Sequence, residues 1–319
     1  MKTHFPGIDL EEEVRKLVAQ VPEGMVTTYG DVAKALGDVV ASRFVGKVMS
    51  KNEDIVRVPC RRVVRSDGTL GGYSGGDGLP TKKKLLQAEG VEIIGQKIAD
   101  FEKIRFTDFR TTYPLKKYRK IQRNDSKKIV LEDDFSSDAY IAGADIAYDG
   151  EDAFAVLMLL DRKGGEVIQT ERIRTKVTFP YIPTYLSFRE APAIMQLSDG
   201  VDDDYILVYD GNGIMHPMGF GIASHLGVML DLPVIGVAKK QLCGSLSGSG
   251  KTKRVLSGGR HVGFAVSGEN WSSPVYVSPG NRISTGSSLS LLQPLWKFRL
   301  PEPVRRAHIE AERFRRGDV

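Results

Sequence analysis

Tyr205-Ile206-Leu207-Val208-Tyr209-Asp210-Gly211-Asn212-Gly213 is the stretch from which the fold of this chain is read. Five residues of strand-forming type run without polar alternation, the pattern of a strand buried on both faces. The run ends in a carboxylate, and the glycines beyond it allow a tight turn or the close approach of a ligand. A carboxylate at the mouth of a buried strand is costly unless something neutralises it. Two readings stand at this point: Asp210 caps the following turn, or it holds a cation.

The sequence before and after this strand bears on that choice. Ala139 to Ala147 is a strand-like run interrupted by Asp145, and Ala153 to Leu160 is a second strand. Asp161-Arg162-Lys163-Gly164-Gly165 turns it into a third, from Glu166 to Arg174. If the strand ending at Asp210 lies beside the first of these, Asp145 and Asp210 converge, and two such acids repel unless a divalent cation bridges them. Paired strands with one acid each resemble the ribonuclease H-like arrangement for metal-dependent phosphodiester cleavage. Other residues carry two readings each. Ser187 and Glu190 have the spacing of a capping box, and Tyr181 between Pro180 and Pro183 reads as a core aromatic. Gly221 to Gly227 reads as a helix and Leu232 to Lys239 as another buried strand, with Lys239 either snorkelling or facing a phosphate.

From Ala139 to about Arg315 the chain resembles the Endonuclease V family. The likeness runs through GADIAY, FPYIP, LSFREAPA, YDGNGIMHP, GIASHLGV, LPVIGVAKKQLCG and RRAH. It implies that Asp145 and Asp210 bind the metal and that Glu190 completes the site. His308 would stand near the attacking water or metal, and Lys239 and His216 on the phosphate side. Tyr181 would be a wedge in the gap beside the lesion, a role suited to an aromatic between rigid prolines. The implied cofactor is Mg²⁺, with Mn²⁺ as a substitute. The implied reaction is cleavage of the second phosphodiester 3′ to deoxyinosine. The chain departs from the family pattern at Asn212 and Asn281, and at Thr184-Tyr185, where Gly-Leu is usual.

The N-terminal third reads differently. Asp9 to Val21 is an amphipathic helix, Thr28 with Asp31 marks a helix start that runs to Leu36, and Ser42 to Ser50 is a second helix carrying Arg43 and Lys47. Paired short helices of this kind are either plain core or a helix-turn-helix. Val58-Pro59-Cys60-Arg61-Arg62-Val63-Val64 follows, with Val63-Val64 a buried strand. Cys60 is either a small buried hydrophobe or, beside two arginines that favour its thiolate, a nucleophile. A glycine loop, Gly71 to Gly76, leads to a helix from Lys82 to Gly90.

In order, TYGDVA, SRFVG, SKNED, VPCRRVV, GGYSGG and LLQAEG resemble the C-terminal domain of O6-alkylguanine-DNA alkyltransferases, over about Asp9 to Phe109. That family moves an alkyl group from guanine O6 to a cysteine after flipping the base from the duplex. The resemblance makes Cys60 the acceptor and Glu89 the buried carboxylate behind it. Tyr29 would press on the DNA backbone, and Arg43 would fill the gap left by the flipped base. Asn52 would be the hinge, and Tyr73 would line the pocket. Arg61 stands where the family has histidine, and an arginine cannot act as a base near neutral pH. The rival reading of this third is a non-catalytic alkyl-lesion sensor fused to an active nuclease.

The chain has 319 residues, enough for more than one core, and a net charge of +5 that suits a polyanionic partner. No apolar run reaches the roughly 18–20 residues of a membrane span. Its two cysteines, Cys60 and Cys243, lie far apart, which fits a reducing cytoplasm. Pro114 to Lys128 carries seven lysines and arginines against one acid, the composition of a solvated connector or, between two DNA-reading units, of a segment contacting phosphates. The expected fold is mixed α/β and α+β: a winged-helix-like alkyltransferase domain at 1–112, a basic linker at 113–138 and a ribonuclease H-like mixed-sheet domain at 139–319. The expected partner of this monomer is double-stranded DNA carrying deaminated or alkylated bases, with no membrane.

Overall fold

The computed structural model describes residues 5–162, 166–269, 271 and 273–319. The expected turn residues Lys163, Gly164 and Gly165 lie outside the described residues. The chain forms two compact units. One comprises Phe5–Lys120 together with Phe179–Tyr185, and the other comprises Ile121–Thr178 and Leu186–Val319.

In the first unit α1 (Leu10–Val18) starts where the Asp9 side chain accepts from the Glu12 N–H, and it buries Leu10, Val14, Leu17 and Val18. The one-face spacing of these residues fixes the helix and its packing side. Thr28 caps α2 (Tyr29–Leu36), which ends at Gly37 with φ of 113°, a backbone conformation open mainly to glycine. Then comes α3 (Ser42–Ser50), as the sequence predicts. The strand β1 (Thr27–Thr28) pairs in parallel with β2 (Val63–Val64), which brings the start of α2 next to the Cys60 turn. After α4 (Leu79–Ala88), a small hairpin of β3 (Ile93–Ile94) and β4 (Lys97–Ile98) closes over a core of Val26, Val64, Leu70, Leu86, Val91, Ile98 and Phe101.

The segment expected to be a solvated linker contains a helix, α5 (Pro114–Asp125). Leu115, Tyr118 and Gln122 recur at helical spacing and are buried, while Lys116, Lys117, Lys120 and Arg123 stay exposed. The charge run hid an amphipathic period.

The second unit is built on nine strands: β5 (Tyr140–Asp149), β6 (Asp152–Leu160), β7 (Val167–Lys176), β8 (Tyr205–Asp210), β9 (Val234–Ala238), β10 (Ser245–Ser247), β11 (Thr252–Ser257), β12 (Arg260–Val266) and β13 (Val275–Asn281). They form one mixed sheet in the order β10-β11-β12-β13-β9-β8-β5-β6-β7. The central ribbon β5-β8-β9 is parallel, and its strands are buried and mostly apolar apart from Asp145 and Asp149 in β5 and Asp210 at the end of β8. The unit also contains α6 (Leu186–Ser198), α7 (Ile222–Leu230), α8 (Thr285–Ser290) and α9 (Glu302–Arg316). The first turn of α9 presses against β5 at Gly143, where a Cβ would sit 2.0 Å from the Pro303 carbonyl oxygen. No helix among the described residues is long and apolar enough to cross a membrane.

Candidate nuclease and alkyl-acceptor sites

The parallel register of β5 and β8 runs from Tyr140 opposite Tyr205 to Ala144 opposite Tyr209. Asp145 and Asp210 are the next residue on each strand, so the two acids stand side by side where β8 ends beside the middle of β5. This is near the carboxyl end of the parallel ribbon, where open α/β sheets bind ligands. Close backbone approach, rather than a special turn, explains the glycine after them: a Cβ on Gly213 would lie 2.0 Å from the Pro279 carbonyl oxygen.

Each acid has a basic partner. Lys239, just past β9, donates its Nζ hydrogen to Asp210 Oδ2 at 2.5 Å. On α9, His308 Nδ1 meets Asp145 Oδ2 at 2.7 Å. That hydrogen bond raises the His308 pKa, because the carboxylate stabilises the imidazolium. Burial pushes the Asp210 carboxyl up, the Lys239 ammonium opposes it, and the neighbouring Asp145 charge adds to the rise.

Glu190 reaches the same place from α6. Its Oε1 accepts from the Tyr148 hydroxyl at 3.1 Å and its Oε2 from the Tyr209 hydroxyl at 2.7 Å. Desolvation raises its pKa to about 7 against the pull of these two donors, and the Asp145 charge adds to the rise. Ser187 does not cap this helix: it lies inside α6 and its hydroxyl meets His225 Nδ1 at 2.8 Å, so the capping-box reading falls. The two tyrosines were missed in the sequence, although a tyrosine in an apolar strand beside an acid signals a hydroxyl in need of a buried partner.

Among the described residues no group of three or more His, Cys, Asp or Glu side chains stands ready in metal-holding geometry. The reason is visible in the contacts, since Lys239 and His308 occupy one oxygen each of the acid pair. The donor chemistry nonetheless fits a hard divalent cation. Asp145 stands close enough for its charge to raise the carboxyls of both Glu190 and Asp210, which burial already pushes up.

The remaining residues expected on the nuclease side fall in three places. Tyr181 is 64% exposed. His216 is buried, and its Nδ1 accepts the Met218 backbone N–H at 3.2 Å, so the expected phosphate contact is not on offer from that atom. Asn281 is a stitch in the fold: its amide donates to Gly227 and Leu232 carbonyls and its oxygen accepts from Val130 N–H. Asn212 is buried in the loop after β8.

In the first unit Cys60 is 5% exposed and lines a cavity of about 240 Å³ with Tyr29, Met49, Gly72 and Tyr73. Tyr29 is thus part of the cavity wall beside the thiol. Arg43 is exposed on α3. Asn52 donates to the Val58 and Asp54 carbonyls, pinning the loop that leads into Cys60. Glu89 is clamped: Arg61 Nε donates to Oε1 at 2.5 Å, and Arg62 donates to Oε2 at 2.8 Å and to Oε1 at 3.1 Å. Burial alone would raise this carboxyl, but the two guanidiniums hold it below the ordinary range.

Sequence reasoning passed over Lys82. It is fully buried, and its ammonium donates to the Val63 carbonyl at 2.6 Å and the Gly72 carbonyl at 3.3 Å. Desolvation lowers its pKa to about 8, and the Cys60 charge pulls the other way. The available signal was its position four residues before the core residue Leu86, on the same face of α4.

An acid pair on adjacent parallel strands, joined by a helix-borne glutamate and histidine, defines a nuclease of the ribonuclease H-like class. A buried cysteine between a helix-turn-helix and a clamped glutamate defines a DNA-binding alkyltransferase-like unit. The comparisons narrow both. The Endonuclease V family model matches residues 123–309, so the chain belongs to the Endonuclease V family. The model of the 6-O-methylguanine DNA methyltransferase DNA binding domain matches residues 9–91. Along nearly its whole length the chain belongs with the bifunctional methyltransferase/endonucleases. It is 38% identical to one from Picrophilus torridus over 98% of this chain and 99% of that one, and 35% identical to one from Thermoplasma volcanium over 97% and 91%. The catalytic domain of human Endonuclease V superposes with a TM-score of 0.60 at 30% identity, covering 66% of this chain and 98% of that one.

Proposed function

We propose that this chain repairs two kinds of damaged base in double-stranded DNA: it nicks beside deaminated bases and removes alkyl groups from guanine O6. In this reading two working bodies, 1–112 and 139–319, are joined through 113–138, and the protein acts as a cytoplasmic monomer.

The nuclease reading is carried by the adjacency of Asp145, midway along β5, and Asp210, at the end of β8. Mg²⁺ held by Asp145, Asp210 and Glu190, with Mn²⁺ as a substitute, would supply Lewis-acid stabilisation of the charge developing on the phosphate. The chain's own groups do the rest. Asp145 orients the His308 imidazole through Nδ1, which leaves Nε2 to take a proton from the attacking water. Lys239, tied to Asp210, offers its ammonium to the phosphate. Exposed Tyr181, stiffened by Pro180 and Pro183, fills the gap beside an extruded deoxyinosine, and cleavage falls at the second phosphodiester 3′ to it. Asp210→Ala should abolish nicking of an inosine duplex while duplex binding persists; unchanged nicking removes the assignment.

For alkyl transfer, Cys60 Sγ attacks the alkyl carbon, forming an S–C bond as the C–O6 bond breaks, and the electron pair and a proton end on the released guanine. Net, the thiol proton passes to the guanine; Arg61 cannot accept it on the way, and the clamped Glu89 is a weak base. The buried Lys82 ammonium, close enough to interact with the Cys60 charge, offsets the negative charge on sulfur. Arg43 and Tyr29 would support the flipped-out geometry, and Tyr73 the pocket. The same clamp on Glu89 favours a second reading, a sensor that binds alkylated guanine without repairing it. Mass measurement of the Cys60 peptide after incubation with O6-methylguanine duplex separates them. A gain of one methyl establishes transfer, and methyl retained on tightly bound DNA establishes the sensor.

A further inference from the structure

Phe179–Tyr185, the stretch containing Tyr181, groups with the body Phe5–Lys120 rather than with β7 and α6 on either side of it in sequence. What holds it there is specific. Phe179 meets Tyr118 edge-on at 5.0 Å, and Ile182 is fully buried. The Tyr185 hydroxyl, also fully buried, donates to Asp38 Oδ2 at 2.9 Å. Arg119 stacks its guanidinium 3.9 Å from the centre of the Tyr185 ring, and donates to the same Asp38 oxygen through Nε at 2.9 Å and Nη2 at 2.8 Å. It also hydrogen-bonds the Thr184 hydroxyl, and the Thr184 carbonyl at 3.4 Å.

Thr184 has φ of +67°. A β-branched residue is strained there, and such strain persists only where the surroundings over-determine it. Arg119 provides that over-determination by holding both the hydroxyl and the carbonyl of Thr184. Asp38 is the keystone. It lies between α2 and α3, where its carboxylate also accepts the Val40 N–H at 3.2 Å, and its pair with Arg119 is largely withdrawn from water. The two positions that depart from the Gly-Leu pattern, Thr184 and Tyr185, are the two that bind this Asp38–Arg119 pair.

We propose that Asp38 is a positioning residue for inosine cleavage: through Arg119 and Tyr185, the connector of the helix-turn-helix mounts the segment that presents Tyr181 to DNA. This rests on the wedge reading of Tyr181, so the test carries both. In the full-length chain, steady-state nicking of an inosine duplex is compared for Tyr181→Ala, Asp38→Asn, Tyr185→Phe and the Asp38→Asn/Tyr181→Ala double variant. Losing a charged hydrogen bond predicts a KM raised about tenfold in Asp38→Asn with kcat within about twofold, and a smaller rise in Tyr185→Phe. The double variant should be no worse than Tyr181→Ala, because a misplaced wedge and a missing wedge are the same defect. Hydrogen exchange over residues 179–185 should rise in Asp38→Asn. Should Asp38→Asn fail to fold, Tyr185→Phe alone carries the comparison. A Tyr181→Ala defect with unchanged KM in the anchor variants, or effects that multiply in the double variant, overturns the proposal. A Tyr181→Ala variant that nicks normally removes the wedge reading, and this inference with it.

Discussion

Two glutamates, one in each unit, are both withdrawn from water and end in opposite states. Glu89, with its side chain 8% exposed, sits between two guanidiniums and is held ionised below the ordinary acid range. Burial raises the Glu190 pKa to about 7 against hydrogen bonds from two tyrosine hydroxyls, and the Asp145 charge adds to the rise. Burial pushes both the same way, so the sign is set by what stands within hydrogen-bond reach. A neutral hydroxyl stabilises a carboxylate less than a guanidinium does, and a second carboxylate undoes part even of that. Glu89 is therefore a fixed anion that organises the loop around Cys60. Glu190 is held near its midpoint by burial, and a divalent cation beside it would keep it ionised.

The comparison predicts opposite phenotypes for the same substitution. Glu190→Gln should cost nicking roughly 10²–10³-fold, the scale of losing a principal electrostatic group, yet shift stability by less than about 1 kcal/mol. Glu89→Gln should leave nicking by folded protein intact but destabilise the first unit by about 3 kcal/mol, because it strands two largely buried guanidiniums. Separate probes exist for the two units. Both tryptophans, Trp271 and Trp296, lie in the second unit, whereas the buried Cys60 thiol becomes reactive only when the first unit opens. Denaturation followed by tryptophan fluorescence and by Cys60 labelling should therefore move for one variant and not the other. Equal destabilisation by both substitutions would break the contrast.

Acid sharpens it further. A folded-state pKa below the unfolded value gives stability that is present above the unfolded pKa and lost as pH falls through the folded one. Glu89 is such a group, as is Asp31, which Arg105 grips through two bonds at 2.8 and 2.9 Å. The first unit should loosen as pH drops below roughly 4.3, the ordinary glutamate value. Cys60 labelling of Glu89→Gln should show a shallower acid limb than the parent chain.

How much of this could be read beforehand depended on the sequence distance over which each signal acts. β8 and β9 were legible because two-face burial writes itself as an unbroken apolar run, and α3 was legible to the residue. The convergence of Asp145 and Asp210 was legible as a conditional, needing one strand pairing that the structure supplies. α5 was not, since its lysines and arginines outweigh the period of Leu115, Tyr118 and Gln122. Nor was the environment of either glutamate. Glu190 takes its donors from 42 and 19 residues away, and Glu89 from 28 and 27. The Asp38–Tyr185 bond spans 147 residues. Local patterns predict elements, whereas the charges that tune a site arrive by tertiary pairing.

The smallest expected effect tests whether Glu89 is only an anchor. Arg61→His places histidine where the alkyltransferase pattern has it. The change removes the bond to Glu89 Oε1 and the Nη1 bond to the Ile55 carbonyl at 2.9 Å. Arg62 remains, holding both Glu89 oxygens and, through Nη1, the Val21 carbonyl at 2.7 Å. The clamp is therefore half redundant, and the loss should be about 1–2 kcal/mol, well short of that in Glu89→Gln. If the Lys82 ammonium already offsets the charge on the Cys60 sulfur, methyl transfer to Cys60 should change by less than about threefold. A gain of tenfold or more, measured as the rate of methyl appearance on the Cys60 peptide, would mean that a histidine relay to Glu89 outperforms the lysine. The arginine clamp would then be holding back the chemistry rather than supporting it.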